Sequence, residues 1–218
     1  MKILQIDHLS YKDEDKSILS DISFDVHKGD CISIIGESGS GKSTLLKLCA
    51  DLIEITEGSM RYKGKDYKTY EPIELRRNVS YCIQMPCLFG DTVYDNLEFP
   101  FKIRHQKVDE PRLIELLQAF NLGIDYLHKP INDLSGGEKQ RIAFIRNIIF
   151  VPEVLLLDEV TAALDATNAQ VIENYIKELN EAGVTVLWVT HNLKQSERIF
   201  NKRIVIANGQ LERMEELN

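Results

Sequence analysis

One short stretch decides the fold of this chain: Gly36-Glu37-Ser38-Gly39-Ser40-Gly41-Lys42-Ser43-Thr44. It fits the pattern G-x-x-x-x-G-K-[ST], in which glycines let the backbone curl so that several N–H groups point at phosphate oxygens. The apolar run from Cys31 to Ile35 precedes it, as in a strand buried on both faces, and leucines at helical spacing follow. Strand, loop and helix predict a phosphate site, with Lys42 neutralising phosphate charge and Ser43 binding Mg²⁺.

A second apolar run, from Val154 to Leu157, ends in the two acids Asp158 and Glu159. A buried parallel strand delivers its last residues to the carboxyl edge of the sheet, where ligands bind in open α/β folds. Asp158 would hold Mg²⁺ through water, and Glu159 would polarise the attacking water as a general base. The alternative is a strand that merely ends in two solvated acids, and the phosphate loop in the same chain disfavours it.

The third motif is Leu134-Ser135-Gly136-Gly137-Glu138. Ser135 and Glu138 have the spacing of a capping box at the start of a predicted helix that runs towards Phe150. The two glycines leave bare N–H groups in the first turn, which form an anion site. An ordinary cap does not need two adjacent glycines, each of which costs about 1 kcal/mol of helix stability. Two phosphate-seeking helix ends in one chain favour a dimer in which they face each other.

These motifs, in this order and followed by a histidine just past the next predicted strand, resemble the ATP-binding cassette of ABC proteins over the whole chain. The resemblance implies an α/β P-loop NTPase fold, with a RecA-like core, an N-terminal antiparallel β-subdomain and an inserted α-helical subdomain. In a single domain of residues 1–218, residues 1–84 and 151–218 would form the core and β-subdomain. Residues 85–150 would form the helical subdomain.

The same resemblance implies an ATP-hydrolysing subunit with ATP and Mg²⁺ as cofactors. Two copies would sandwich two ATP molecules, each held by the phosphate loop of one copy and by Ser135, Gly136 and Gly137 of the other. Closure of this dimer would power a separate integral-membrane permease. The chain would then be cytoplasmic and peripheral, held at the inner face of the cell membrane through that permease.

The resemblance also supplies roles for residues that physical reasoning alone would not single out. Gln84, at the end of a predicted strand that starts at Val79, matches the glutamine that senses Mg²⁺ and the attacking water. His191 matches the histidine that contacts the γ-phosphate. Asp165 matches the loop that couples the two sites, and Tyr11 matches an aromatic residue that stacks on adenine. Without the resemblance, Gln84 and Tyr11 would be ordinary strand-edge residues.

The composition narrows the classes of protein further. With 218 residues, of which 44% are hydrophobic and 28% charged, the chain has the make-up of a globular domain. A net charge of -8 gives no basic footprint for nucleic acid, and no apolar run reaches the ~18 residues of a membrane span. The N-terminus predicts a strand and not a secretory leader. The cysteines are scattered without a CxxC pair, which indicates reduced thiols and not a metal site or disulfides.

The sequence leaves the functional class and several details of transport open. A soluble P-loop kinase and a non-transport ABC regulator remain alternatives, although the Ser135-Gly136-Gly137 helix end and His191 disfavour the kinase. Five stretches are similar to bacterial subunits implicated in iron export: residues 80–84 (SYCIQ), 88–97 (LFGDTVYDNL), 99–101 (FPF), 135–147 and 187–191 (LWVTH). Since a cassette does not touch its cargo, the residues do not establish the cargo, the direction of transport or the permease. They also leave open whether the two cassettes of a dimer are identical.

Overall fold

The computed structural model describes residues 1–190 and 199–217, and these fall into two compact units. The first unit consists of Met1–Tyr81, Pro152–Glu159 and the chain from Lys177 onward. The second unit consists of Cys82–Val151 and Val160–Ile176. The chain therefore enters the second unit twice and returns to the first unit each time.

The first unit is built mainly of strands. Its elements are β1 (Lys2–Asp13), β2 (Lys16–His27), β3 (Cys31–Ile35), α1 (Lys42–Cys49), β4 (Glu57–Tyr62), β5 (Lys65–Asp66), α2 (Pro72–Asn78), β6 (Val79–Cys82), β7 (Val154–Asp158), β8 (Thr185–Val189), β9 (Lys202–Ala207) and β10 (Gln210–Glu216). Two sheets result, because one group of strands pairs in parallel around β3 and the other forms an antiparallel arrangement around β1.

Among the described residues, the larger sheet has six strands in the order β10-β9-β3-β8-β7-β6. Strand β3 pairs in parallel with β8 and β9, and β7 pairs in parallel with β8. Every residue of β7 and β8 is buried, as expected for parallel strands that are covered on both faces. The carboxyl ends of β3 and β7 thus reach the same edge of the sheet.

The smaller sheet and the final hairpin follow from local sequence pattern. The strand order is β2-β1-β4-β5, and the alternating residues Ile22, Phe24 and Val26 of β2 are buried, as expected for a strand with one face on the core. The hairpin between β9 and β10 turns at Asn208 and Gly209, whose φ angles are 50° and 75°. Positive φ at both central residues is typical of a type I′ turn, which matches the twist of the flanking strands.

The second unit is helical. Its elements are α3 (Val93–Lys102), α4 (Glu110–Ala119), α5 (Gly136–Ile148), the beginning of α6 (Ala166–Glu181), and the short 3-10 segments Ile124–His128 and Ile131–Asp133. Phe120, at the end of α4, packs against Phe144 of α5 with ring centroids 5.5 Å apart. Fully buried Asn96 of α3 accepts a hydrogen bond from Arg146 of α5 at 3.0 Å and donates to the carbonyl oxygen of Phe89 at 2.8 Å.

The predicted α/β class is confirmed, with a largely parallel sheet and a group of helices carried in the middle of the chain. None of the helices in the described part of the chain combines the length and the apolar character needed to cross a bilayer. Helix α3 was not predicted from the sequence. It contains Pro100, which has no N–H to donate to the preceding turn, and Pro usually argues against a helix interior.

Candidate functional site

The loop between β3 and α1 depends on two glycines that the surrounding packing requires. Gly36 has a φ of 153°, and a Cβ atom there would stand 2.0 Å from the carbonyl oxygen of Ile206. Gly41 has a φ of 102°, and its Cβ would stand 2.6 Å from Cδ2 of Leu19. Because the backbone passes so close to its neighbours at both positions, neither position accepts a side chain. The loop then leads directly into the N-terminus of α1.

Lys42 is the first residue of α1, and its side chain folds back over the loop. The residue is buried, and its Nζ donates hydrogen bonds to the carbonyl oxygens of Gly36 at 3.0 Å and Glu37 at 2.7 Å. Burial lowers the pKa of Lys42, and the negative charges of Glu159 and Asp158 oppose that change. The ammonium group therefore lies against the loop, where phosphate oxygens would offer it stronger, charged acceptors.

Ser43 and Asp158 bring two oxygen ligands together from distant parts of the chain. The Ser43 hydroxyl donates a hydrogen bond to Oδ1 of Asp158 at 2.9 Å, and Asp158 is buried at the end of β7. Among the described residues, no group of three His, Cys, Asp or Glu side chains is able to hold a metal ion. A hydroxyl and a carboxylate fit Mg²⁺, which binds few protein ligands and completes its shell with water and phosphate oxygens.

The second carboxylate oxygen of Asp158 also has a donor. The Tyr81 hydroxyl donates a hydrogen bond to Oδ2 at 2.8 Å from β6, the strand beside β7 in the sheet. Sequence reasoning placed Tyr81 on a strand but did not find this contact. Since 77 residues separate the two side chains, only the pairing of β6 with β7 in the sheet brings them together.

Glu159 leaves the sheet in an unusual backbone conformation. Its φ is 50°, in the left-handed region, which costs a non-glycine residue roughly 1–3 kcal/mol. Its N–H donates to the carbonyl oxygen of Val189 at 3.1 Å, which ties the residue to the end of β8. The negative charge of Glu159 raises the pKa of Lys42, against the effect of burial, so the carboxylate lies within electrostatic reach of the Lys42 ammonium. The surrounding strands therefore hold an acid at the edge of the phosphate loop.

In the second unit, Ser135 caps the N-terminus of α5. Its hydroxyl accepts a hydrogen bond from the Glu138 N–H at 3.3 Å, and the Glu138 carboxylate accepts one from the Ser135 N–H at 2.6 Å. The predicted capping box is confirmed. A Cβ atom on Gly137 would lie 3.2 Å from Cδ2 of Leu164, whereas one on Gly136 would meet no described atom within 4 Å. Packing among the described residues therefore gives no reason for glycine at position 136.

Glu138 is the centre of a small charged network beside this helix end. Its Oε1 accepts hydrogen bonds from the Tyr126 hydroxyl and, at 3.1 Å, from the Lys129 ammonium. Burial opposes ionisation, but hydrogen bonds from Tyr126 and Ser135 outweigh it and lower the pKa of Glu138 to about 2. Glu138 is therefore a carboxylate at neutral pH, with its charge balanced by Lys129.

Two further predicted site residues lie at the ends of elements. Asp165 caps α6, because its carboxylate accepts a hydrogen bond from the Asn168 N–H at 3.0 Å, and this bond lowers the pKa of Asp165. Tyr11 lies on β1 opposite Leu19 of β2, whose side chain packs beside Gly41. Tyr11 is thus one strand away from the phosphate loop. Its adenine-stacking role stays a prediction, as does the coupling role of Asp165.

The prediction for Gln84 needs a correction. We expected a strand that ends at Gln84, but β6 ends at Cys82, and Gln84 lies in an irregular segment of the second unit. Ile83, between them, is 39% exposed and has left the buried sheet, so apolar alternation overestimated the strand. The role of Gln84 as a sensor of metal and water stays a prediction. His191 lies outside the described residues.

The first unit thus brings together Lys42, Ser43, Asp158 and Glu159 at the edge of a parallel sheet, beside a glycine loop and a helix N-terminus. The second unit presents the capped helix end of Ser135. A phosphate-cradling loop, a basic side chain and two acids at strand ends define a P-loop nucleotide-binding protein of the α/β class.

Comparison with known proteins identifies the family. The family model described as ABC transporter matches residues 19–162. "Probable iron export ATP-binding protein FetA" of Escherichia coli (strain K12) is 47% identical over 87% of this chain and 85% of its own length. "ABC transporter I family member 17" of Arabidopsis thaliana is 35% identical over 91% of this chain and 76% of its own.

A solved structure agrees with these sequences. The ATP-binding cassette MJ0796, in a dimeric post-hydrolysis state bound to ADP and Pi, superposes with a TM-score of 0.89 at 29% identity, covering 99% of each chain. The chain belongs to the ABC transporter family. It is an ATP-binding cassette of that family and an ATPase.

Proposed function

We propose that this chain binds ATP with Mg²⁺ and closes with a second copy into a sandwich dimer that drives a separate membrane permease. Gly136 is the observation that carries the proposal. Glycine in a first turn lowers helix stability by about 1 kcal/mol relative to alanine, yet nothing within 4 Å in the described chain requires it. Close approach of a phosphate from another copy would require a bare backbone at this position. The dimeric state described for the related cassette MJ0796 supports this explanation.

The residues of the first unit divide the chemistry among them. The N–H groups of residues 36–41 and the N-terminus of α1 bind phosphate oxygens, and Lys42 neutralises the charge that develops on them. Mg²⁺, held by Ser43 and Asp158, would supply electrostatic stabilisation of the phosphate oxygens. Glu159 accepts the proton of the attacking water. Its strained backbone fits this role, because such strain persists where neighbouring structure fixes a functional group.

The dimer then opens and closes through electrostatics. ATP brings negative charge between the phosphate loop of one copy and the α5 N-terminus of the other, and both helix ends attract it. Hydrolysis and phosphate release remove the bridging charge, so the two copies separate. This cycle moves the permease between its inward- and outward-facing states, with the cassette at the cytoplasmic face of the membrane.

Glu159→Gln tests the catalytic part of the proposal. The amide keeps the size of the side chain but takes no proton, so we expect ATP binding and dimerisation to persist while hydrolysis falls on the order of 10²–10⁴-fold. Light scattering with ATP measures the dimer, and phosphate release measures turnover. Glu153→Gln is the matched control, because Glu153 lies at the opposite end of β7 and contacts Lys63. Wild-type turnover by Glu159→Gln would rule out Glu159 as the base.

Ser135→Arg tests the sandwich. The arginine side chain fills the space in front of the α5 N-terminus, while the phosphate loop lies in the other unit of the chain. We expect the monomer to bind ATP with unchanged affinity and to fail to dimerise in gel filtration. A variant that dimerises like the wild type would refute the sandwich. Membrane co-sedimentation with a co-expressed permease separates a transporter subunit from a non-transport regulator.

We further propose that the cargo is iron and that the direction is export. The proposal rests on the 47% identity to a relative named probable iron export ATP-binding protein. The test is cell-associated iron after an iron load in three strains: the parent, one that lacks this protein, and one that carries Glu159→Gln. If both altered strains accumulate iron above the parent, ATP hydrolysis by this chain drives iron export. If neither differs from the parent, the cargo is another substance.

A further inference from the structure

We infer that Tyr81 is a positioning residue for Asp158, holding its carboxylate in the orientation that metal-dependent nucleotide binding requires. The inference rests on the hydrogen bond of 2.8 Å from the Tyr81 hydroxyl to Asp158 Oδ2, opposite the bond of 2.9 Å from Ser43 to Oδ1. It builds on the proposed Mg²⁺ role of Asp158. Tyr81 itself would touch neither metal nor nucleotide.

Two donors on opposite oxygens prevent the Asp158 carboxylate from rotating. The torsion angle of an unrestrained carboxylate varies over a broad range, because terminal sp³–sp² bonds have no sharp staggered minima. The Ser43 hydroxyl keeps its proton for Oδ1 while its lone pairs remain able to bind a metal. The Tyr81 hydroxyl fixes the other oxygen, so the carboxylate presents one defined face to a metal beside Ser43.

Tyr81 is well suited to this role because its own position is fixed. The ring packs against the hydrophobic core of the first unit, and its strand β6 lies beside β7 in the sheet. A tyrosine side chain has few torsions, so a packed ring defines the place of its hydroxyl oxygen closely. Hydrogen bonds to a charged acceptor are also stronger than those between neutral groups. The contact therefore transmits the rigidity of the sheet to the carboxylate.

A released carboxylate would have a competing partner. Lys42 lies within electrostatic reach of Asp158, and an ammonium group attracts an unrestrained carboxylate. If Asp158 turned towards Lys42, each would satisfy the other, and both would be less available to metal and phosphate. We therefore expect loss of the Tyr81 hydroxyl to weaken the effect of metal on nucleotide binding, while binding without metal is retained.

Tyr81→Phe tests the inference, because it removes one oxygen and keeps the ring. Calorimetry of ADP binding, once with Mg²⁺ and once with EDTA, gives the gain in affinity that the metal provides. We expect affinity in EDTA to stay within about twofold of wild type and the gain from Mg²⁺ to fall about tenfold, as for other residues that orient metal ligands. Mn²⁺ binding in the presence of ADP, followed by electron paramagnetic resonance, should weaken in parallel. Half-saturating Mg²⁺ for ATPase activity should rise, with kcat at saturating Mg²⁺ largely retained.

Two further variants make the outcomes distinguishable. Tyr70→Phe is the matched control, since it removes a hydroxyl that donates to the Tyr62 carbonyl oxygen at 3.0 Å in the same unit, and it should leave the metal gain unchanged. Asp158→Asn should abolish the gain in ADP affinity from Mg²⁺ if Asp158 holds the metal. A normal gain in Tyr81→Phe beside a lost gain in Asp158→Asn would overturn the role of Tyr81 alone. A normal gain in Asp158→Asn would overturn both this inference and the proposed Mg²⁺ role. Thermal unfolding of each variant confirms that it is folded.

Discussion

The N-termini of α1 and α5 carry glycines for different reasons. At α1, the packing of the chain itself requires Gly36 and Gly41, since a Cβ on either would approach another part of the first unit within 2.6 Å or less. At α5, a Cβ on Gly136 would point into open space among the described residues. Packing within the first unit therefore accounts for the glycines at α1, whereas no described residue accounts for Gly136 at α5, and the proposed dimer would account for it.

The two helix ends also differ in charge. No side chain caps α1, and its first turn contains no acid but begins with Lys42. Helix α5 is capped by Ser135 and has Glu138 in its first turn, balanced by Lys129. In the proposed site, the α1 end would therefore offer its N–H groups and the Lys42 ammonium to phosphate as the principal binding site. The α5 end, where the Glu138 N–H already donates to the Ser135 hydroxyl, would offer a weaker, secondary attraction.

The largest expected effect is that of Gly36→Ala. The new methyl group would stand 2.0 Å from the Ile206 carbonyl oxygen at a backbone φ that disfavours side chains, so the loop must move. We expect loss of detectable ATP binding and a fall in the free energy of unfolding of about 3 kcal/mol or more. Calorimetric titration with ATP and urea unfolding measure the two effects. Wild-type ATP affinity would show that the loop tolerates a side chain.

Gly136→Ala is the matched substitution at the other helix end. The monomer should be as stable as wild type or up to about 1 kcal/mol more stable, because alanine is the better helix former and meets no neighbour. ATP-driven dimerisation should weaken by tenfold or more, since overpacking a close contact costs roughly 1–3 kcal/mol. Urea unfolding and sedimentation of Glu159→Gln with and without Gly136→Ala measure these quantities. Equal dimerisation with and without the added methyl group would show that the dimer does not require glycine at position 136, and the proposed dimer would lose its main support.

The smallest expected effect concerns pH and Tyr126→Phe. The pKa of Glu138 lies at about 2 in the folded chain, below its ordinary value of 4.5, so its stabilisation is fully present above pH 4.5 and is lost as the pH falls towards 2. Loss of the Tyr126 hydrogen bond raises that pKa, and acid unfolding should begin at a higher pH. Circular dichroism over this range follows the transition.

Glu138→Gln is the control for that titration, because it removes the ionisable group altogether. Its stability should lack the part of the acid dependence that Glu138 causes, and adding Tyr126→Phe to it should shift the acid midpoint no further. If Tyr126→Phe moves the midpoint equally in both backgrounds, Tyr126 acts through packing and not through the Glu138 carboxylate.

Much of the local structure was predictable because its signals lie close together in the sequence. The buried runs of β3 and β7 and the capping box of Ser135 and Glu138 each depend on neighbouring residues, and the structure confirms them. Helix α3 was missed because Pro100 masks its pattern. The strand predicted to reach Gln84 was too long, because alternation continues past the point where the sheet ends.

The sequence by itself determined the class of the protein and the family to which it belongs, since motif spacing sets which residues stand at strand ends and helix starts. The tertiary structure decided how those residues are oriented. Glu159, whose φ lies in the left-handed region, donates its N–H to the carbonyl oxygen of Val189. Ser43 and Tyr81 donate hydrogen bonds to the two carboxylate oxygens of Asp158 across separations of 115 and 77 residues. Such contacts arise from the packing of strands and a helix that are distant in the chain, and no local propensity encodes them.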